Sequence, residues 1–401
     1  MRFVKSIFAA IVVMASLAFG QLSAGEEGAS PAELAKRILA ETKVKGGLIV
    51  HLGCGDGKLT AALCANESYL VHGLDKSEAN VRKAREYIKS LGLYGRVSVD
   101  LWRGKHLPYI DNLVNLIVVE GTVEVSHQEL MRVLAPGGVA YFRGKKEGLR
   151  MLVKPRPEGM DEWTHYLHDP SNNAVSHDWF VGPPRRLQWV GSPRWSRHHD
   201  HMASMSALVS SGGRIFHIFD EGPTASIMLP PKWSLIARDA FNGVILWKRS
   251  IPKWFPHMWP FKSGHAQLPR RLVAIGDRVY VTLGIDAPIS ALDAATGKTV
   301  RTYEGTEGAE ELIVSKGVIF AVVNRNPIRW EEYRQVNRGI GKEKARVARE
   351  WPWDEKERAL MAIDAESGDL LWERSYRVAP LTLAADDKHV YFHDGERIIW
   401  L

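Results

Sequence analysis

The chain has 401 residues, 45% of them hydrophobic, with a formal net charge of +7. That length allows more than one hydrophobic core, so two domains are expected. Two cysteines, Cys54 and Cys64, exclude a disulfide framework, and a modest charge spread through mixed-sign segments gives no reason to expect a nucleic-acid partner.

The chain opens with Arg2 and Lys5, then an uncharged, mostly apolar run from Ile7 to Gly20. Such a run is short for a bilayer span and suits a signal-peptide core. Ala18-x-Gly20 or Leu22-x-Ala24 would serve a signal peptidase, so residues 1–24 are expected to be a signal peptide. The alternatives are an uncleaved anchor or a misassigned start codon. No later segment is apolar enough to cross a membrane. The protein is therefore expected to be secreted or periplasmic, and not integral to a membrane once the signal is removed.

Ser30-Pro31-Ala32-Glu33 reads as a helix start, with a Ser cap, Pro at the first helical position and Glu three residues after the cap. A strand through Leu48, Ile49 and Val50 runs into the glycine loop Gly53-Cys54-Gly55-Asp56-Gly57 and a helix. Tyr69 to Leu74 is a strand ending in Asp75, and Ser77 to Leu91 a helix with Val81, Ala84, Ile88 and Leu91 on one side. Strands at Val97–Leu101 and Leu113–Val119, a helix through Leu130 and Val133, and the turn Pro136-Gly137-Gly138 into a strand at Val139–Phe142 complete residues 30–150. Alternating strands and helices predict a parallel sheet with helices on both faces. Glycines after the first strand let the backbone approach a ligand, beside unpaired N–H groups at a helix start. Asp75 stands where a carboxylate can accept bonds from two ribose hydroxyls.

"LGCGDG", the strand-end "GLD" and "RVLAPGG" together resemble the class I S-adenosylmethionine-dependent methyltransferases. The resemblance implies that S-adenosylmethionine is the cofactor. Gly53, Gly55 and Gly57 would then face its methionine part and Asp75 its ribose. Cys54, Asp56 and Lys76, beside them, join the candidate cofactor-binding set, with His51. The pattern is departed from in three places. His51 stands where that family carries an acid. Asn115 stands where its fourth strand opens with Asp, often near the substrate. Trp102, Arg103 and Lys105 stand where an acid near the adenine is expected. No catalytic residue is assigned.

Residues 151–205 connect the halves. His165, His168, His177, His198, His199 and His201 crowd this window with Asp161, Glu162, Asp169, Asp178 and Asp200. "RHHDHM" has the residue types of a zinc site. The spacings match no catalytic pattern, so the histidines are expected to bond backbone at a seam, with no metal assigned. Pro183-Pro184 and the tryptophans Trp163, Trp179, Trp189 and Trp195 suggest an ordered wrap.

From residue 206 a repeat appears. "LIARDAFNGVILW" (235–247), "ISALDAATGKTVR" (289–301) and "LMAIDAESGDLLW" (360–372) align without gaps. Each pairs an Asp (Asp239, Asp293, Asp364) with a Gly four residues on (Gly243, Gly297, Gly368), which is hairpin chemistry. Trp247 and Trp372 close two copies, and Arg301 takes that place in the middle one. Another hairpin signal precedes each copy, and a fourth unit begins near the end. Self-similar units of four short strands predict a β-propeller. The unit resembles the pyrroloquinoline-quinone-type repeat, found in quinone-dependent dehydrogenases and in cofactor-free scaffolds. The repeat is structural, so a quinone cofactor is not expected. The last complete unit carries a charged insertion, roughly Asn324 to Arg358, with Trp330, Trp351 and Trp353 at its edges. It reads as a solvated helical excursion or a docking surface. Three complete units cannot close a ring of four to eight blades, so the chain is read as a fragment or one partner in a shared ring.

The expected fold class is α/β plus all-β: an N-terminal Rossmann-like methyltransferase sheet (30–150) and a C-terminal partial β-propeller (206–401). The function expected is that of an exported methyltransferase of unknown substrate. The alternatives are a binding scaffold whose propeller recruits a protein or surface partner, and a quinone-dependent oxidoreductase.

Overall fold

The computed structural model describes residues 29–401 apart from 122–123, 144–149, 181, 184–186, 198–203, 227–228, 259–265, 328 and 352–355. The expected signal segment, Trp353, His198, His199, Asp200 and His201 lie outside the described residues. No helix among those described is long and apolar enough to cross a membrane.

The first domain begins with α1 (Pro31–Thr42), capped as its sequence predicts. The Glu33 N–H donates to Ser30 Oγ and the Ser30 N–H to Glu33 Oε2. Then come β1 (Gly47–Leu52), α2 (Lys58–Leu63), β2 (Tyr69–Asp75), α3 (Glu78–Ser90), β3 (Val97–Leu101), β4 (Val114–Val119), α4 (His127–Val133), β5 (Leu134–Phe142) and β6 (Met151–Val153). They form one sheet in the order β3-β2-β1-β4-β5-β6, parallel except for β6, which runs antiparallel to β5. Alternate strand residues face opposite sides. Ile49, Val71 and Val118 pack with α1, α2 and α3, while Val50, Ile117 and Val119 pack with α4.

Three details differ from expectation. Leu91 caps α3 and is exposed, because the helix ends one residue before it. The Pro136-Gly137-Gly138 stretch lies inside β5. Val114 pairs with Leu134 and Leu116 with Val139, so these residues bulge out of the strand instead of preceding it. Finally, β6 adds an edge that the sequence did not announce.

The second half is four antiparallel sheets in chain order. The first holds β7 (Met205–Ser211), β8 (Arg214–Asp220), β9 (Trp233–Asp239) and β10 (Ile245–Ile251). The second holds β11 (Leu272–Ile275), β12 (Arg278–Thr282), β13 (Ile289–Asp293) and β14 (Thr299–Tyr303). The third holds β15 (Ala309–Ser315), β16 (Val318–Val323), β17 (Arg358–Asp364) and β18 (Leu370–Tyr376). Only three strands, β19 (Ala384–Ala385), β20 (Val390–His393) and β21 (Ile398–Trp400), make the fourth. Successive sheets pack on one another. In β11, Leu272 and Ala274 face the first sheet's core, while Val273 faces the third sheet.

Each Asp-to-Gly turn closes a hairpin in which the Gly N–H donates to the Asp carbonyl four residues back. The glycine also receives the preceding unit. A Cβ on Gly297 (φ 68°) would stand 2.6 Å from the Trp247 indole, whose Nε1–H donates to the Ala294 carbonyl at 3.0 Å. Trp189 lies on Gly243 in the same way, its Nε1–H donating to the Ala240 carbonyl at 2.9 Å. Arg301, the exception in the repeat, covers Gly368 as tryptophan does elsewhere.

The connecting segment is tied to all four sheets in its central part. Ser210 of β7 donates its N–H to the Trp163 carbonyl, and Ala274 of β11 to that of Thr164. Val314 of β15 donates to His165 Nε2, and Ala385 of β19 to the Pro170 carbonyl. An edge strand leaves a row of N–H groups without partners. Residues 163–170 supply acceptors to the first strand of all four sheets in turn.

The insertion contains a helix, α5 (Ile340–Glu350), as expected, but it is anchored rather than solvated. Tyr333 and Val347 enter the core of the first two sheets, with Trp330 and Trp351 packed against it. Buried Glu343 accepts from Tyr333 Oη at 2.8 Å and from the Arg346 guanidinium at 2.5 Å.

Candidate functional site

The carboxyl ends of parallel strands are where ligands bind in open α/β sheets. Here those ends present His51, the glycine loop, Asp75, Glu120 and Arg143. The loop turns sharply, with left-handed backbone at Gly53, Gly55 and Gly57 (φ 77°, 55° and 80°). Two of these glycines serve different ends. A Cβ on Gly57 would lie 2.7 Å from Ala84 Cβ, so this glycine lets α2 approach α3. Around Gly55 no atom lies within 4 Å of where a Cβ would be, so its face is open.

Asp75 pins that bend. Its Oδ2 accepts from the Gly55 N–H at 2.9 Å, and its Oδ1 from the Ser77 N–H at 2.9 Å and Asn80 Nδ2 at 3.1 Å. Gly55 and Asp75, 20 positions apart, thus meet directly. The expected helix contribution is smaller, since α2 has six residues and no side-chain cap.

His51 is fully buried. Its Nδ1 is 2.8 Å from Thr60 Oγ1, while Nε2 lies 3.8 Å from Glu120 Oε1 and has no hydrogen-bond partner. Burial pulls its pKa down to about 4 against the opposing charge of Glu120, so the ring is neutral at pH 7. Glu120 is itself paired with Arg143, from the end of β5. A cavity of about 590 Å³ lies beside them, lined by Val119, Gly121, Phe142 and Arg143 among others.

The remaining candidates fall elsewhere. The Cys54 side chain packs under Gly73 in the core, where burial pushes its thiol up to about 12, and its N–H is 3.3 Å from the Leu74 carbonyl. Its side chain is therefore removed from the cofactor set. Asp56 is exposed and engages Lys58 through both its backbone N–H and its ammonium. Lys76 is exposed beyond the strand end. Trp102 is buried, with its Nε1–H on the His106 carbonyl, and Arg103 pairs with Glu78. Both cysteines are free.

Asn115 requires a correction. It sits near the amino end of β4, at the opposite edge of the sheet from the glycine loop, because Leu116 pairs with Ile49 and Val119 with Leu52. Its Oδ1 accepts from the Leu48 N–H at 2.8 Å and from Asn242 Nδ2 at 2.6 Å; its Nδ2 donates to Asp239 Oδ2 at 2.7 Å. Asn115 thus joins the first domain to the first Asp-to-Gly turn. Burial raises the pKa of Asp239, with the Asn115 bond working against the shift. The antiparallel sheets consequently grip the end of the domain remote from the loop.

The described histidines of the connecting segment make contacts within the chain. His165 accepts from backbone, as expected. His168 donates through Nε2 to Asp161 Oδ2 at 2.7 Å, and the His177 ring stacks on it. Among the described residues, no group of three or more His, Cys, Asp or Glu could hold a metal ion.

Glu120 and Arg143 escaped sequence reasoning. Their signal was available: each is the first charged residue after a strand of the parallel sheet.

Residues 49–138 match the family described as "Methyltransferase domain". Among curated proteins, methyltransferase GfsG of Streptomyces halstedii is 35% identical over 96 residues, which is 22% of this chain and 34% of that protein. The chain thus spans about a third of the length of the curated relative it matches. Solved structures with similarity include a SAM-dependent methyltransferase from Aquifex aeolicus, 26% identical, covering 29% of this chain and 68% of that one at a TM-score of 0.25. The cyclase SpnF is 25% identical and covers 28% and 43% at a TM-score of 0.26. Loop, strand order and family match agree that residues 49–138 form a methyltransferase-like domain.

Proposed function

We propose that residues 30–150 bind S-adenosylmethionine and that the protein is a methyltransferase whose acceptor enters beside Glu120 and Arg143. One observation carries this reading: the bend at Gly55 is open on its ligand side and pinned beneath by Asp75. A Cβ at position 55 would fill that cradle. The buried, unpartnered His51 Nε2 is a second sign that the residues fit a polar ligand. When bound, S-adenosylmethionine supplies an electrophilic methyl group.

The chain's own groups then divide the work. Gly53, Gly55 and Gly57 give close backbone approach. Asp75 has accepting capacity left beyond its three present donors and would hold ribose hydroxyls. His51 would hydrogen-bond the amino-acid part, in place of an acid. Glu120 is the carboxylate placed to take a proton from an acceptor, and Arg143 orients it. Losing the acids at position 51 and near the adenine costs about 1–3 kcal/mol each where a buried hydrogen bond is lost. Affinity is therefore expected to be weak.

Calorimetric titration of the full chain with S-adenosylhomocysteine tests this. Saturable heat that Asp75→Ala abolishes is expected. No heat at millimolar ligand would favour the second reading, a cofactor-free scaffold, for which the use of Asp75 within its own loop is the supporting observation.

We further propose that the four sheets are blades of a partial β-propeller of the pyrroloquinoline-quinone-repeat type, with no quinone. Its outer strands would meet a protein or surface partner outside the cytoplasm. Protein recovered after export should begin between Gln21 and Glu26; an intact Met1 would remove the export reading.

A further inference from the structure

A cavity of about 600 Å³ opens between the first antiparallel sheet and the insertion, and none of its lining residues comes from residues 30–150. Its wall carries Trp233, Trp254, Tyr333 and four prolines, Pro230, Pro231, Pro252 and Pro256. Both indole N–H groups are already used, Trp233 donating to the Phe255 carbonyl at 2.9 Å and Trp254 to Ser206 Oγ at 3.2 Å. The aromatic groups therefore offer apolar surface. Lys232 and Lys253, both exposed, stand at the rim.

One polar group in this wall has nothing to bind. His257 has a buried side chain, 2% exposed, and its Nδ1 lacks a partner. Its Nε2 lies 2.6 Å from Asp220 Oδ2, which also accepts from Arg197 Nη1 at 2.8 Å. The second Asp220 oxygen accepts from the N–H groups of Gly222 at 2.8 Å and Lys232 at 2.7 Å. Burial works to raise the Asp220 pKa, but the His257 bond, these backbone donors and the Arg197 charge bring it down to about 2. Asp220 is thus ionised and accepts from the His257 nitrogen that faces it. Nδ1 is left as a buried polar atom without a partner, which costs free energy unless a ligand group meets it.

We propose that this cavity is a second ligand site, for a small hydroxy acid. Its hydroxyl, able to donate or accept, hydrogen-bonds His257 Nδ1, its carboxylate faces Lys232 and Lys253, and its apolar face lies on the tryptophan and proline wall. The volume is that of a small-molecule pocket. The chemistry is shared by aromatic hydroxy acids and by sugar acids, so the test carries both.

The full chain is titrated with 4-hydroxyphenylacetate and with D-glucuronate, followed by tryptophan fluorescence. Saturation by either supports the site, and the tighter of the two identifies the source. Lys253→Glu, on the surface, and His257→Phe should each weaken binding about tenfold or more, while the methyl ester of the binding probe should also bind more weakly. Two results overturn the proposal: no saturable signal from either probe up to about 10 mM, or binding unchanged in both variants. S-adenosylhomocysteine titration of the same samples checks that the variants are folded and reports on the other site separately.

Discussion

At the carboxyl end of the six-stranded sheet, His51 keeps one nitrogen without a partner and Gly55 keeps an open face. At the amino end both polar atoms of the Asn115 side chain are engaged, and the contact they make is with another sheet. The residue types are much alike, buried or half-buried polar groups near strand ends. The difference lies in satisfaction. A satisfied polar cluster joins parts of the chain, whereas an unsatisfied one beside open space is built for something that arrives. The Asp161 carboxylate is likewise satisfied, collecting donors from Glu162, Ser176 and His177 besides His168.

The largest test of this comparison is Asn115→Leu. It removes the side-chain donor to Asp239 Oδ2, leaving that carboxylate only the Phe241 and Asn242 N–H groups on Oδ1, and it strands the Leu48 N–H, at a cost of about 3 kcal/mol. Thermal unfolding should show that loss, while S-adenosylhomocysteine affinity of the folded fraction stays the same. A stable variant with lost affinity would return Asn115 to the site.

Next comes pH. Burial holds His51 down to about 4, His165 to about 3 and His217 to about 4, against an ordinary value near 6.5. The unfolded chain then binds more protons than the folded one between those limits. Stability should be full above pH 6.5 and fall as pH drops towards 4, by about 1.4 kcal/mol per unit for each such group. His217→Phe should flatten the slope. A midpoint independent of pH from 7 to 4 would show these rings to be solvated.

Gly55→Ala should have the smallest effect on stability, about 1 kcal/mol for a left-handed alanine with free space around it. Its effect on S-adenosylhomocysteine binding should be disproportionate, because the new methyl group occupies the open cradle. If binding is unchanged, the open face at Gly55 is not where the ligand lies.

Much of this was legible in order along the chain. Local signals placed α1 with its cap, the strands of the first sheet, the bend with Asp75 and the three Asp-to-Gly hairpins, because caps, periods and turns depend on neighbours within a few residues. Distance along the chain hid the rest. Asn115 and Asp239 stand 124 positions apart, and no pattern in either segment announces that they meet. Trp189 was one aromatic residue among several until the glycine it covers was seen. Arg301 looked like a lapse in the repeat, yet it fills the same place on the next sheet. Sequence determined which backbone shapes form, since those free energies are local. Only the tertiary structure decided which buried polar atoms find partners, and hence which groups remain for a ligand, since that satisfaction is settled between segments the chain order keeps apart.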